Sequence, residues 1–509
     1  MILKDFTTRS KLSKPILIFV VAIVIFFSLR LPFLTRIPVF VDEAIYIRWS
    51  QIMRNEPSLR FLPLSDGKQP LFMWATMPSL KLFHDPLVAG RMVSILAGLL
   101  SLSGIAFLVY VVSNSLFLAS LSSLVYAVLP FAVFFDRMAL ADSLLSTFGL
   151  WSLGLGVLLI KKSRLDLAML LGISIGLGLI TKSPAIFFYL WQPLLFLAFF
   201  DFKSKDVKKR LLKLMGSWLI ALIISQGIYN ILRLGTNFNM IGARNQDYLF
   251  SVSEAIRHPL NPLVGNLKTT TNWLWYLLTP PLILCLLLSF FGRERKQSFW
   301  IVLLVLLTLF AQAFVAKVYT SRYIMFAATP LLLPITFGLS YLADRFANKK
   351  AFIYLFIFIW PIILSLLFVF MPTSAGLPYD MRSGYLEEWT AGWGQREIAN
   401  YLNQKSGEGK KLVVGTDGFF GTLPDGLQIY TQANPNITVI GGSPNISTLP
   451  DSLTNSLKDK NNLVYLVANA SRVHLSSPDL GRLNLISKFD KSTRLNGTHE
   501  SLLFFQVLR

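Results

Sequence analysis

Apolar runs of about twenty residues recur between Ile16 and Met371, separated by short loops rich in lysine and arginine. This pattern constrains the chain more than any other feature. Inside a bilayer no water satisfies the backbone, so each spanning run must close its own hydrogen bonds as a helix. Charged residues make up only 15% of the 509, where a soluble domain would carry about a quarter. The net charge of +21 invites a nucleic-acid partner. Its placement excludes that reading, because the basic residues sit in the short loops, as the positive-inside rule and anionic headgroups require. The sole cysteine, Cys285, lies inside an apolar run, so no intramolecular disulfide is possible.

The runs predict eleven spans, over 15–33, 87–112, 115–135, 141–160, 165–182, 184–200, 211–232, 273–291, 298–316, 323–343 and 351–371. Lys4, Arg9, Lys11 and Lys14 precede the first run, as in a signal peptide, but no A-x-A-like cleavage site follows, which predicts a retained span. With the N-terminus inside, the loops at 161–164, 203–210, 292–296 and 344–350 fall on the cytoplasmic side, and all carry Lys or Arg. Outer segments are then 34–86, 136–140, 233–272, 317–322 and everything after 372. Two breaks are weakly marked: the turn at 112–115, and the stretch 182–184, where Pro184 is also compatible with a kink in one longer helix. The expected organisation is a polytopic α-helical membrane domain over 1–372 and an extracytoplasmic α/β domain over 373–509.

Within 34–86, Glu43 to Met53 has an amphipathic helical pattern, and Pro70 to Phe83 is apolar but short for a span. Both read as helices lying at the interface. The tail alternates signals: helix at 396–404, strand at 411–415, strand at 437–440, helix at 452–458, strand at 463–468 and a closing strand at 502–508. Alternation of this kind argues for a small layered α/β domain. It contains no phosphate-binding glycine motif. Sequons begin at Asn436, Asn445, Asn469 and Asn496, a pattern that an Asn-rich tail also yields by chance.

Asp42-Glu43, soon after the first span, is the most informative polar feature. Adjacent carboxylates at a lipid–water boundary are costly unless they bind something or do chemistry. The bland alternative is that they cap the following helix.

At this point a set of patches, in order, resembles a known family. They are Asp42-Glu43-Ala44-Ile45-Tyr46, Lys68-Gln69-Pro70-Leu71 with Trp74, Ala89-Gly90-Arg91, Asp136-Arg137 through Asp142-Ser143, Gly178 to Pro184, and Arg322-Tyr323 with Pro330. The chain resembles GT-C type polyprenyl-phosphate-sugar glycosyltransferases, in the branch of protein O-mannosyltransferases and lipid A aminoarabinose transferases. Two positions depart from the pattern. Gln69 stands where the family usually has proline, and Gly67 where the aminoarabinose branch has a glutamate that the resemblance would make a metal ligand.

The resemblance implies an inverting, mannosyltransferase-like enzyme that moves a sugar from a polyprenyl-phosphate donor to a lipid, glycan or protein acceptor on the outer face. A prokaryotic plasma membrane is the expected location. Cleavage of the C1–phosphate bond builds negative charge, so cations must sit there. Lys68, Arg322 and Lys182 are the candidates, with Tyr323 as a hydrogen-bond donor. Asp42 is the expected base for a hydroxyl acceptor, with Glu43 and Asp142 placing the acceptor, a metal or Asp42 itself. A phosphate acceptor would need no base. Tyr46, Arg91 and Arg137 are possible supports, although Arg91 also reads as an interfacial anchor. Asp142 is alternatively a structural partner of Arg137. A divalent metal is the only cofactor in question, with Glu43, Asp142 and His258 as candidate ligands. The alternative function is a transporter or lipid-linked sugar flippase. Internal repeats and midplane charges would favour it, and neither is evident.

Overall fold

The computed structural model describes the backbone of residues 2–509 and the side chains of residues 13–509, so Lys4, Arg9 and Lys11 lie outside the described side chains. The chain divides into two compact units, one of residues 1–33, 60–72 and 91–371, the other of 34–59, 73–90 and 372–509. The two ends of the first outer segment therefore fall with the C-terminal residues.

The first unit is helical. Among the described residues seven helices are long and apolar enough to cross a membrane: Ser13–Arg30, Pro86–Ser113, Ala141–Lys162, Val207–Leu234, Arg295–Val315, Ser321–Arg345 and Ala347–Phe370. An eighth span would be the pair Leu263–Leu278 and Pro280–Phe291, bent by 100°. The bend falls at Thr279, which has a φ of 72° and precedes Pro280. Three shorter apolar helices, Leu116–Val128, Leu165–Leu179 and Ser183–Phe199, complete the set. Each of the eleven expected runs lies on one of these elements, but length and apolarity support seven to eight spans rather than eleven. A 13-residue helix such as Leu116–Val128 rises only about 20 Å, short of a hydrocarbon core of about 30 Å.

Both doubtful breaks are real. Asn114 takes a φ of 54°, and the Ser115 hydroxyl then accepts the Leu118 N–H at 3.3 Å to cap the next helix. At 182–184 the chain leaves the helix outright. Lys182 is extended (φ −164°, ψ 143°), and Pro184 lies in the first turn of a new helical segment, where its missing N–H costs nothing. The expected continuous run 115–135 is broken the same way, with Pro130 opening the short helix Pro130–Phe135.

The second unit contains a five-stranded sheet: β1 Lys411–Thr416, β2 Ile437–Gly441, β3 Asn462–Asn469, β4 Leu483–Asp490 and β5 Ser501–Val507, in the order β2-β1-β3-β5-β4. β1 runs parallel to both β2 and β3, while β5 is antiparallel to β3 and β4. Helix Gln395–Ser406 packs Ile398, Ala399 and Leu402 on one face of the sheet, and Asp451–Ser456 packs Leu453 on the other. The chain passes from β1 to β2 on one side and returns to β3 on the other. The carboxyl ends of β1 and β3 thus form a topological switch point, the usual ligand crevice of such sheets. Four of the strands follow the sequence expectation. β4 was not expected, because as an edge strand it alternates irregularly between half-buried and exposed residues.

Candidate functional site

In the second unit, Asp42 and Glu43 occupy the first turn of helix Val41–Asn55. The chain enters this helix from a short antiparallel pairing. Phe40 bridges Ala391, the Val41 N–H donates to the Thr390 carbonyl at 3.1 Å, and the Gly392 N–H donates to the Val39 carbonyl at 2.8 Å. Gly392 permits this approach, since a Cβ there would lie 2.5 Å from Val39 Cγ1. The two carboxylates have different surroundings. Glu43 is fully buried, and its Oε2 accepts the Phe40 N–H at 3.0 Å, so it closes the helix start as a cap. Asp42, on the same turn, is only half-buried. Tyr46 is buried one turn on and stacks with Trp49 at a ring separation of 6.3 Å.

The helix is held along its length. Arg48 Nε donates to Gln428 Oε1 at 3.1 Å, Gln51 Nε2 to the Ile429 carbonyl at 2.8 Å, and Trp49 lies 5.6 Å from the Phe420 ring. Its partner segment, 388–392, is fastened to the switch point. Arg494 forms a two-pronged pair with Glu388 at 2.7 and 2.8 Å. Lys491 Nζ donates to the Glu388 carbonyl at 3.1 Å and to Asn469 Oδ1 at 2.6 Å, and Asn469 Nδ2 donates to Asp417 Oδ2 at 2.9 Å. Arg472 lies over the Trp389 ring at 4.0 Å. Burial pushes the Lys491 ammonium down to about 8, against the opposing pull of Glu500, Asp417 and Glu388. Burial likewise raises the Asp417 carboxyl above its ordinary value. In this chain the switch-point crevice is thus filled by its own residues, which hold the strand partner of 39–41. Asn469, the third sequon position, is 2% exposed and bonded on both sides, so it is no glycosylation acceptor.

In the first unit a second group of polar side chains converges. Lys182 Nζ pairs with Asp142 Oδ1 at 2.5 Å, and lies 4.2 Å from the centre of the Tyr323 ring. Arg322 lies over the same ring at 5.2 Å, and Tyr248 packs against it at 6.5 Å. Arg244 NH2 donates to the Tyr248 hydroxyl at 3.3 Å and lies 3.7 Å from Asp66, which also pairs with Lys68 at 3.4 Å. Gln69 Nε2 donates to Ser183 Oγ at 2.8 Å, and the Leu71 N–H to the Ile180 carbonyl at 3.1 Å, which ties the Lys68 segment to the Lys182 segment. Lys68, Lys182, Arg322 and Tyr323, more than 250 residues apart in sequence at the extremes, thus belong to one connected group. Arg244 and Tyr248 were not anticipated, because they lie on a short polar helix, Met240–Tyr248, with no motif around them. Gly67 is required by this packing. Its φ is 67°, and a Cβ would fall 2.4 Å from Arg244 Cβ and 2.5 Å from the Met240 carbonyl oxygen.

The alternative partner expected for Asp142 is replaced. Arg137 reaches the other way, donating to the carbonyls of Arg30 at 2.9 Å, Pro32 at 2.8 Å and Phe33 at 3.0 Å. It secures the C-terminal end of the first helix, where free carbonyls favour a cation. Asp136 is likewise structural, paired with Arg30 at 2.9 Å with both side chains fully buried. Arg91 is 1% exposed, which removes it from the role of interfacial anchor.

Among the described residues, no three His, Cys, Asp or Glu side chains gather as a metal-ligand set. Glu43 caps a helix, Asp142 is paired with Lys182, and His258 stands exposed at the end of helix Val252–Arg257. These residues do not fit a divalent ion.

Residues 67–229, about a third of the chain, match the family of dolichyl-phosphate-mannose-protein mannosyltransferases. The fold is shared over nearly the whole length with ArnT from Cupriavidus metallidurans. For the apo form the TM-score is 0.59 at 14% identity, covering 96% of this chain and 97% of that one. For the form bound to undecaprenyl phosphate the TM-score is 0.54 at 15% identity, with the same coverage. An Archaeoglobus fulgidus oligosaccharyltransferase tethered to an acceptor peptide aligns less well, with a TM-score of 0.47 at 13% identity over 89% of this chain and 69% of that one. No curated protein matches the sequence. The architecture is thus an ArnT-like fold of apolar helices with a C-terminal α/β domain.

Proposed function

We propose that this chain is an inverting membrane glycosyltransferase that moves a sugar from a polyprenyl-phosphate donor to an acceptor on the extracytoplasmic face. The observation that carries the reading is the gathering of Lys182, Arg322, Lys68 and Arg244 around Tyr323 and Tyr248. As the sugar leaves, its phosphate gains charge, and fixed cations near it lower the barrier. Arginine suits such oxygens because its fork binds two at once, while lysine acts as a point charge. Asp142 holds Lys182 in place through their 2.5 Å contact. The ArnT fold in its undecaprenyl-phosphate complex supports a polyprenyl phosphate as the ligand. The mannosyltransferase match favours transfer over flipping.

Asp42 is the base for a hydroxyl acceptor. It is half-buried on the first turn of a helix whose start Glu43 already caps. A base must reach its acceptor, and of the two carboxylates only Asp42 retains exposure. Glu43 supports it structurally. The acceptor is a lipid, glycan or protein, and the membrane is a prokaryotic plasma membrane with the N-terminus inside.

The test is to supply the purified protein in lipid with a panel of polyprenyl-phosphate sugars and to measure free polyprenyl phosphate. Release dependent on Lys182 and Arg322 is expected. Movement of the intact donor across the bilayer without any release would overturn the reading in favour of a flippase.

A further inference from the structure

Within the second unit a groove of about 450 Å³ lies between the C-terminal half of helix Val41–Asn55, residues 80–86, and the helices Gln395–Ser406 and Asp425–Thr431. Its volume falls in the range of small-ligand sites. The lining is unusual in its chemistry. Five carboxamides face it, from Gln51, Asn55, Asn400, Asn403 and Gln432, together with the rings of Phe83 and Tyr430.

Two cations also line the groove, but both are already engaged. Arg396 pairs with Asp85 at 2.7 Å, and Arg54 donates to the Leu80 carbonyl at 3.0 Å. An anion would have to compete with those partners. A carboxamide offers donor and acceptor side by side, as do adjacent hydroxyls on a sugar ring. Two of the five amides are engaged by the protein: Gln51 Nε2 bonds the Ile429 carbonyl at 2.8 Å, and Asn403 bonds the Tyr430 carbonyl through Nδ2 at 3.2 Å and accepts from Asn434 Nδ2 at 3.3 Å, which leaves Asn55, Asn400 and Gln432 to meet a ligand. Three carboxamides, two aromatic rings and arginines already engaged suit an uncharged polyhydroxylated ligand.

We propose that this groove binds a neutral oligosaccharide, the extended part of the acceptor. This rests on the glycosyltransferase reading for its purpose, though not for its chemistry. The groove begins at Gln51 and ends near Asn55 on the helix that carries Asp42. At 1.5 Å per residue these lie roughly 14 to 20 Å along the axis from Asp42. A glycan of several units held there leaves its growing end free to reach the first turn. Binding so far from the reacting atoms supplies orientation rather than chemistry.

The experiment uses the full chain in lipid nanodiscs without donor. Binding of short neutral oligosaccharides (mannan, glucan and N-acetylhexosamine oligomers) is compared with binding of uronic acid oligomers. The variant is Asn55→Ala with Asn400→Ala. Both side chains are exposed, and among the described residues neither makes a hydrogen bond, so the fold is spared. Wild type is expected to bind a neutral oligomer saturably and the variant about tenfold more weakly, as the loss of two hydrogen bonds implies. Donor cleavage with a short acceptor should stay unchanged in the variant, while KM for an oligosaccharide acceptor rises. Absence of neutral-oligomer binding, equal binding by the variant, or preference for the uronic acids would overturn the proposal. Asp42→Asn serves as the separating control. If it binds the oligomer normally yet still releases polyprenyl phosphate at full rate, the base assignment falls and the groove stands.

Discussion

Asp42→Asn and Glu43→Gln are nearly identical chemical changes on adjacent residues, and the structure predicts that they fail in different ways. Glu43 is fully buried, and its carboxylate accepts the Phe40 N–H at 3.0 Å at the helix start. A glutamine keeps an acceptor but loses the charge. That costs the difference between a charge-assisted and a neutral hydrogen bond, about 1 kcal/mol, plus about 0.3–1 kcal/mol of interaction with the helix dipole. The total of about 1–2 kcal/mol corresponds to a drop in Tm of roughly 3–8 °C for a unit of this size. Asp42 is half-buried and lies one position nearer the helix start, beside the cap rather than forming it. Its amide loses the helix-dipole interaction but no cap, about 0.3–1 kcal/mol, and should lower Tm by no more than about 4 °C. Loss of a general base should lower kcat by about 10²–10⁴. The assay pairs polyprenyl-phosphate release with thermal unfolding in the same nanodiscs. If Asp42→Asn retains its rate within about threefold, or if Glu43→Gln loses all activity with Tm unchanged, the division of roles is wrong.

Other outcomes follow from particular contacts. Lys182→Met leaves Asp142, 3% exposed, without its partner, at a cost of about 3–5 kcal/mol. The double change with Asp142→Leu should recover most of the Tm but no activity, and recovered activity would remove Lys182 from the phosphate site. Gly67→Ala should cost at least about 1–2 kcal/mol from its left-handed backbone alone, with more from the 2.5 Å approach to the Met240 carbonyl. Faster proteolysis around 235–250 would report it, and unchanged cleavage would count against that packing. Lys491 sits at about 8 when folded, below its ordinary value near 10.4. Between those pH values the unfolded chain holds more protons, so stability gains from this group as pH rises through the window, up to about 3 kcal/mol. Lys491→Met should abolish that gain, and a wild-type stability curve parallel to the variant's from pH 7.5 to 10 would refute it.

The order of helices and loops was legible because hydropathy is a local property. Each apolar run needs only its own residues to declare itself, and every one of the eleven expected runs lies on a helix. The tail's alternation was legible for the same reason, since the buried strand Leu463 to Ala468 and the amphipathic helix beside it carry their period in the sequence. Seven to eight of the expected spans meet the length a membrane crossing needs, and the sequence did not show which, because composition does not reveal where a helix ends. Pro130, Thr279 and the extended Lys182 cut runs that read as continuous or merely kinked. The edge strand β4 was hidden because one exposed side weakens its alternation.

By itself, the sequence determined that this is a many-helix membrane protein with an α/β appendage, and which residue types were available for chemistry. Only the tertiary structure decided who pairs with whom. Asp142 joins Lys182, forty residues on, rather than Arg137 one turn away. Lys68 is bound through Asp66 to Arg244, and Glu43 turns back to a backbone N–H instead of outward. A polar side chain's role is set by whichever groups share its burial, and those come from distant segments brought together by packing. Burial of apolar surface is additive along the chain, whereas the energy of a charge depends on its surroundings in three dimensions.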